Sequence, residues 1–195
     1  MHTTKVTASN HPSHEECIAL LKETETPRNI FLHARKVQGV ALFLAERLNE
    51  HGVPVNVENI RIAGILHDIK KFDEIKKECG AHEDAGADLL IAKGFSEIAA
   101  IVRAHKTSNI YNGFNSWEER ILYYADKRVL HDNIISIDER LEDGARRYPV
   151  LSKDTEKIRL LLHALEDQIF KKIGLRPENI NEKTIEPYLC EDVYS

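Results

Sequence analysis

The sequence predicts an all-α protein, and three observations carry that prediction. Apolar residues recur every three or four positions, most clearly at Val37, Val40, Ala41, Leu44, Ala45 and Leu48. Ser-x-x-Glu signatures at Ser13, Ser116 and Ser136 mark helix starts. Nowhere do apolar and polar residues alternate in the two-residue rhythm of a half-buried strand.

The elements follow in order. Residues 1–12 read as a loose tail. Ser13-x-x-Glu16 opens a first short helix with Cys17, Leu20 and Leu21 on one stripe. Thr26-Pro27 starts a long helix running to Asn49, with Gly52 and Pro54 beyond it. A third helix is expected from about Glu58 to Lys70, then a charged, turn-like stretch through Gly80. Glu83–Ala92 is a helix stopped at Gly94, and Ser96 caps another to about Lys106. Thr107–Asn115 reads as a loop around Asn112-Gly113. Ser116 opens a helix to about Leu130. Ser136 opens one to about Arg147, where Pro149 interrupts. The last long helix, Asp154–Ile173, aligns Ile158, Leu162, Leu165, Ile169 and Ile173 and stops at Gly174. One further turn is expected after Pro177. The expected organisation is one domain over residues 13–175 with a C-terminal tail over 176–195.

At 195 residues the chain is long enough for a real core. A net charge of −5 argues against a broad grip on a nucleic acid polymer. A small anionic substrate stays compatible, because local lysines can outweigh the global sign. Cys17, Cys79 and Cys190 cannot all pair and show no C-x-x-C spacing, which disfavours a disulfide framework and favours a reducing compartment. The first sixteen residues lack the apolar segment of a signal peptide, and no apolar run reaches membrane-spanning length. The expectation is a cytoplasmic protein with no membrane partner.

One dipeptide stands out. His67-Asp68 ends the apolar run Ile62-Ala63-Gly64-Ile65-Leu66, and two such groups are costly to bury unless something satisfies them. A divalent metal does that. His33 lies before it, and His82, His105 and Asp126 after it. Helical proteins build metal sites from side chains converging from facing helices. The carboxylate of Asp68 has two oxygens and can bridge two ions. His131 and His163 have no such context and read as surface or packing residues, and His2, His11 and His14 as part of the N-terminal tail.

These motifs resemble the HD-domain metal-dependent phosphohydrolases. The matching stretches are Phe31-Leu32-His33-Ala34-Arg35-Lys36-Val37, Ile65-Leu66-His67-Asp68-Ile69-Lys70-Lys71 and Tyr123-Tyr124-Ala125-Asp126-Lys127, within a motif core over residues 26–130. The resemblance implies an HD-domain helical bundle with one or two divalent transition-metal ions (Mn, Fe, Co, Ni or Zn). It assigns a first ion to His33, His67, Asp68 and Asp126. In the two-metal subgroup Asp68 also bridges to a second ion on His82 and His105. The chain departs from related cyclic-dinucleotide phosphodiesterases: Lys106 stands where they place a second histidine, and their Gly-Tyr-Pro signature is missing. The family's His-Asp-Ile-Gly is here His67-Asp68-Ile69-Lys70.

The implied activity is hydrolysis of a phosphoester or phosphoanhydride of a nucleotide or other small phosphorylated molecule. Bound metal lowers the pKa of water to supply hydroxide and neutralises phosphoryl charge. Asp68 and Lys71 are the candidate catalytic residues. Lys71, Arg35 and Lys106 are the candidates to hold substrate phosphate, with Lys70 and Lys127 weaker ones and Glu83 or Asp84 available for the leaving-group proton. Arg146-Arg147 reads first as helix-end charge and second as a phosphate grip. Two other readings stay open: a diiron oxygenase of the same superfamily and a non-catalytic nucleotide-sensing module. A homo-oligomer is compatible with either.

Overall fold

The computed structural model describes residues 11–147 and 154–194. The expectations for residues 1–10 and for Pro149 lie outside them. The architecture is all-helical apart from one two-stranded hairpin.

Helix α1 (His14–Glu23) starts as its sequence dictates. The Ser13 side chain accepts from the Glu16 amide at 3.2 Å, and the Glu16 carboxylate accepts from the Ser13 amide at 2.7 Å. Helix α2 (Arg28–Glu50) is the central column, with Pro27 as its N-cap. The six apolar residues that predicted it are all fully buried. Each such side chain contributes roughly 1.5–3 kcal/mol on burial. Helix α3 (Val57–Leu66) packs along α2, and Gly64 sets how close they come. A Cβ built on Gly64 would lie 2.8 Å from the Gln38 backbone, so only hydrogen fits there.

The third helix ends four residues earlier than its sequence suggested. His67 is its C-cap, and residues 67–70 form a turn in which the Lys71 amide returns to the Asp68 carbonyl at 2.9 Å. The charged stretch beyond is in part helical, as α4 (Lys71–Lys76). Helices α5 (His82–Ala92) and α6 (Ser96–Arg103) form a hairpin about Gly94, whose φ is +91°. Ser96 is the first residue of α6 and not its cap; Phe95 holds that position without a side-chain bond. The expected loop after α6 contains one short helix, α7 (Asn109–Asn112).

Helix α8 (Trp117–Lys127) begins at Ser116, which accepts from the Glu119 amide at 3.2 Å. It ends three residues before the expected Leu130. The chain instead makes the hairpin β1 (Val129–Leu130) and β2 (Asn133–Ile134), too short to show alternation in sequence. Helix α9 (Ile137–Arg147) opens with the complete Ser136–Glu139 box. Helix α10 (Thr155–Ile173) ends at Gly174 in the left-handed region, φ +65°.

The expected C-terminal tail folds back along α2 as two 3-10 turns, Pro177–Asn179 and Glu186–Tyr188, around α11 (Glu182–Ile185). Ile185 is fully buried, Tyr188 donates to Glu46 at 2.7 Å and Tyr194 donates to the Thr26 carbonyl at 2.6 Å. Buried Arg128 ties this segment to α8 and α10. Its guanidinium meets the Tyr124 hydroxyl at 2.6 Å, the Ile135 carbonyl at 2.6 Å and the Pro177 carbonyl at 3.2 Å. Glu166 on α10 lies 3.7 Å away and accepts from Tyr124 at 2.6 Å.

Gly144 differs from Gly64. It sits inside α9, where glycine costs about 1 kcal/mol relative to alanine, yet a Cβ there would meet nothing within 4 Å.

Gly64→Ala is expected to destabilise the fold by about 1–3 kcal/mol through forced separation of α2 and α3. Gly144→Ala is expected to raise stability by up to about 1 kcal/mol. Urea unfolding followed by circular dichroism measures both, and the two variants should shift the midpoint in opposite directions.

Candidate metal centre

The ends and inner faces of five helices bring six side chains together. His33 comes from the first turns of α2, His67 and Asp68 from the turn that ends α3, and His82 from the start of α5. His105 follows α6, and Asp126 sits in the last turn of α8. Neighbours on a helix diverge by about 100°, and His67 at the C-cap keeps helical dihedrals; His67 and Asp68 nonetheless both reach the centre, on two sides of it.

Asp68 is the hinge of the site. Its Oδ2 lies 3.6 Å from His67 Nε2 and 3.8 Å from His33 Nε2. Its Oδ1 lies 3.0 Å from His82 Nε2 and 3.6 Å from His105 Nε2. Asp126 Oδ1 closes the first group at 3.2 Å from His33 Nε2 and 3.8 Å from His67 Nε2. Two ligand sets result, His33-His67-Asp126 and Asp68-His82-His105, each compact enough to surround one ion. The carboxylate of Asp68 faces both.

Each imidazole has its outer nitrogen engaged. Nδ1 of His33 faces the His131 carbonyl at 2.8 Å, and Nδ1 of His67 faces the Gly64 carbonyl at 2.9 Å. Nδ1 of His105 meets the Val102 carbonyl. Nδ1 of His82 meets Glu74 at 2.9 Å, with Lys71 at 3.1 Å. A carbonyl only accepts, so the proton of His33, His67 and His105 must sit on Nδ1, and Nε2 carries a lone pair. Glu74 favours the same tautomer at His82. The centre is therefore a convergence of acceptors with too few protons to share. His67 Nε2 shows it most plainly: it is buried and has no hydrogen-bond partner. A divalent cation satisfies such a set, and nitrogen and oxygen donors of this kind suit Mn, Fe, Co, Ni or Zn.

The electrostatics agree. Burial alone would raise the carboxyl of Asp68, but His67, His105 and His82 hold it well below the ordinary range. Asp126 is likewise held well below against burial, chiefly by Lys127, whose ammonium lies 2.5 Å from Oδ2. Burial pushes His67 down to about 4. Burial also opposes the charged form of His33 and His82, but Asp126 and Asp68 outweigh it and raise both.

A cavity of about 460 Å³ opens onto the centre. Lys71, Glu74, Glu83 and Lys127 line it on the ligand side, while α9 and α10 form the opposite wall. Lys71 Nζ is held 2.9 Å from Glu74. Two of the main phosphate candidates lie elsewhere. Arg35 donates to the Cys190 carbonyl, and Lys106 pairs with Asp84 at 2.6 Å; neither Arg35 nor Lys106 lines the cavity. Lys70 pairs with Asp73 at 2.6 Å. Arg140 and Arg147 of α9 do line the cavity. Arg140 went unmarked in the sequence because nothing local distinguishes it from a solvated helix arginine. His131 also has a part, through its backbone: φ is +57°, which turns its carbonyl toward His33.

The HD-domain family model matches residues 30–132, more than half of the chain. The chain belongs to the HD-domain family. That family is in general one of metal-dependent phosphohydrolases that bind divalent ions. An uncharacterized protein of Methanocaldococcus jannaschii is 28% identical over 169 residues, covering 80% of this chain and 95% of its own length. No solved structure matches the chain. No helix among the described residues is long and apolar enough to cross a membrane.

In the metal-free protein His67 is expected to take up its proton at lower pH than His33 and His82. Imidazole nitrogen shifts followed through an NMR titration give the order, and protonation of His67 first would contradict it. His131→Val, which resists a positive φ, is expected to weaken metal binding about tenfold or more, while His131→Gly retains it. Competition with a chelator dye reads both, and equal affinities would remove the role of the His131 turn.

Proposed function

We propose that this HD-domain protein hydrolyses a phosphoester or phosphoanhydride of a nucleotide or another small phosphorylated molecule, with two divalent ions held side by side. One observation carries the reading: the two oxygens of Asp68 face two separate groups of histidine lone pairs. His33, His67, Asp68 and Asp126 would hold the first ion, and His82, His105 and Asp68 the second. When bound, the metal supplies Lewis acidity, lowering the pKa of water and neutralising charge on phosphoryl oxygens.

The chain's own residues supply the rest. Lys71 and Lys127 line the cavity beside the ligands and can donate to non-bridging phosphoryl oxygens. Lys127 also neutralises the outer oxygen of Asp126 and so keeps Oδ1 turned inward. Glu74 fixes His82 through Nδ1 and leaves Nε2 for the centre. Glu83 lines the cavity and would manage the leaving-group proton in this reading, while Asp84 is tied to Lys106 and does not line the cavity. The cavity volume suits a compact molecule, not a polymer. Cys17, Cys79 and Cys190 are all free thiols, which fits a cytoplasmic, reducing setting.

The deciding experiment is metal analysis of the purified protein followed by anaerobic phosphate-release assays over nucleotides and small phosphoesters with manganese, cobalt, nickel and iron. We expect two ions per chain and metal-dependent phosphate release. Phosphate release with none of these metals, or turnover only with iron and dioxygen, would overturn the proposal. Asp68→Ala is expected to abolish metal retention and turnover while the helical circular dichroism persists. His105→Ala is expected to lower the stoichiometry from two ions to one, and an unchanged count would leave a mononuclear centre.

A further inference from the structure

The wall of the cavity opposite the ligands carries a feature that the reaction above does not use. Arg140, Gly144 and Arg147 stand four and three residues apart on α9, which places them on one face, and all three line the cavity. Gly144 is a poor helix residue with no steric reason for being one. Its missing side chain would touch no atom of the protein, so the space in front of it is open. Bare backbone at a cavity wall is where a ligand can approach closely.

The two arginines stand one turn on either side of that opening. Arg140 is half-buried and makes no ion pair among the described residues. Its charge nonetheless reaches Asp126. Arg147 is held by Asp143 at 2.8 Å through Nε, and its Nη2 lies 3.3 Å from His131 Nε2. Asp143 is itself compensated by Arg147 and, at 3.5 Å, by Arg146. A guanidinium offers a fork of donors matched to phosphate or carboxylate oxygens.

We propose that Arg140, Gly144 and Arg147 form an anion subsite for a second negatively charged group of the substrate, seated over the bare backbone of Gly144 and gripped from both sides. This rests on reading the metal centre as one that acts on phosphorylated molecules. It adds that the preferred substrate is elongated, with one anionic group at the metals and another at α9. The centre then selects against simple monoesters by the length and charge of what reaches across the cavity.

Calorimetry on the full chain loaded with manganese tests this, with adenylyl imidodiphosphate and inorganic phosphate as probes. Arg140→Ala and Arg147→Ala are each expected to weaken the nucleotide analogue about tenfold more than they weaken phosphate, the loss of one charge-assisted hydrogen bond. Gly144→Leu, which fills the opening, is expected to do the same or more. Its thermal midpoint should lie at or above that of the wild type, which separates occlusion from misfolding. The subsite is overturned if the wild type does not bind the analogue, if the variants bind it undiminished, or if both probes weaken equally. None of these measurements requires turnover. A blank phosphate-release screen with stripe-dependent binding removes the hydrolase reading and leaves the subsite standing. Robust hydrolysis with unaffected binding does the reverse.

Discussion

Six ligand groups converge at the floor of the cavity with more acceptors than protons to share among them. Three imidazoles here are turned inward by backbone carbonyls and a fourth by a carboxylate, so their free nitrogens present lone pairs to two aspartates. Proton sharing relieves part of this, as at His82 and Asp68, but His67 Nε2 is left with nothing. An unsatisfied buried acceptor costs about 1–3 kcal/mol. The cost is tolerable only because the surrounding helices bury enough apolar surface to fix the geometry. A positive charge among these acceptors satisfies what their own hydrogen bonds leave unpaired, His67 Nε2 above all.

The rest of the fold serves that geometry. α2 and α3 approach at Gly64, and the Gly64 carbonyl is the group that orients His67. Close packing and ligand orientation therefore meet in one residue. The end of α3 brings His67 and Asp68 to the centre together, with the two oxygens of Asp68 toward different histidines. On the far side, the hairpin after α8 turns the His131 carbonyl onto His33 and then launches α9 across the cavity.

Much of this was legible in the sequence, for definable reasons. His67 and Asp68 are marked by their apolar frame, which makes an unpaired pair costly to bury, and His33, His82, His105 and Asp126 by their order and by the resemblance to HD-domain motifs. The capping serines at 13, 116 and 136 declared their helix starts through short-range chemistry. What stayed hidden depends on long-range placement. Arg35 and Lys106 sit beside ligand residues in sequence but point to the Cys190 carbonyl and to Asp84. Arg140 and Gly144 carry no local signal and gain meaning only because α9 folds over the cavity. The contribution of His131 is a backbone carbonyl, to which side-chain identity is nearly silent. The C-terminal segment lacked helical periodicity because its anchors, Ile185, Tyr188 and Tyr194, act one at a time.

The knot around Arg128 bears on how this chain can diverge. A guanidinium, a phenol and a carboxylate from α8 and α10 satisfy one another almost out of reach of water. Removing any member strands the others, and a stranded buried charge costs several kcal/mol. Substitution by substitution, a lineage leaving this arrangement must pass through a weakened intermediate. Related chains should therefore keep Tyr124, Arg128 and Glu166 as a trio or have exchanged all three for apolar residues, with mixed sets scarce.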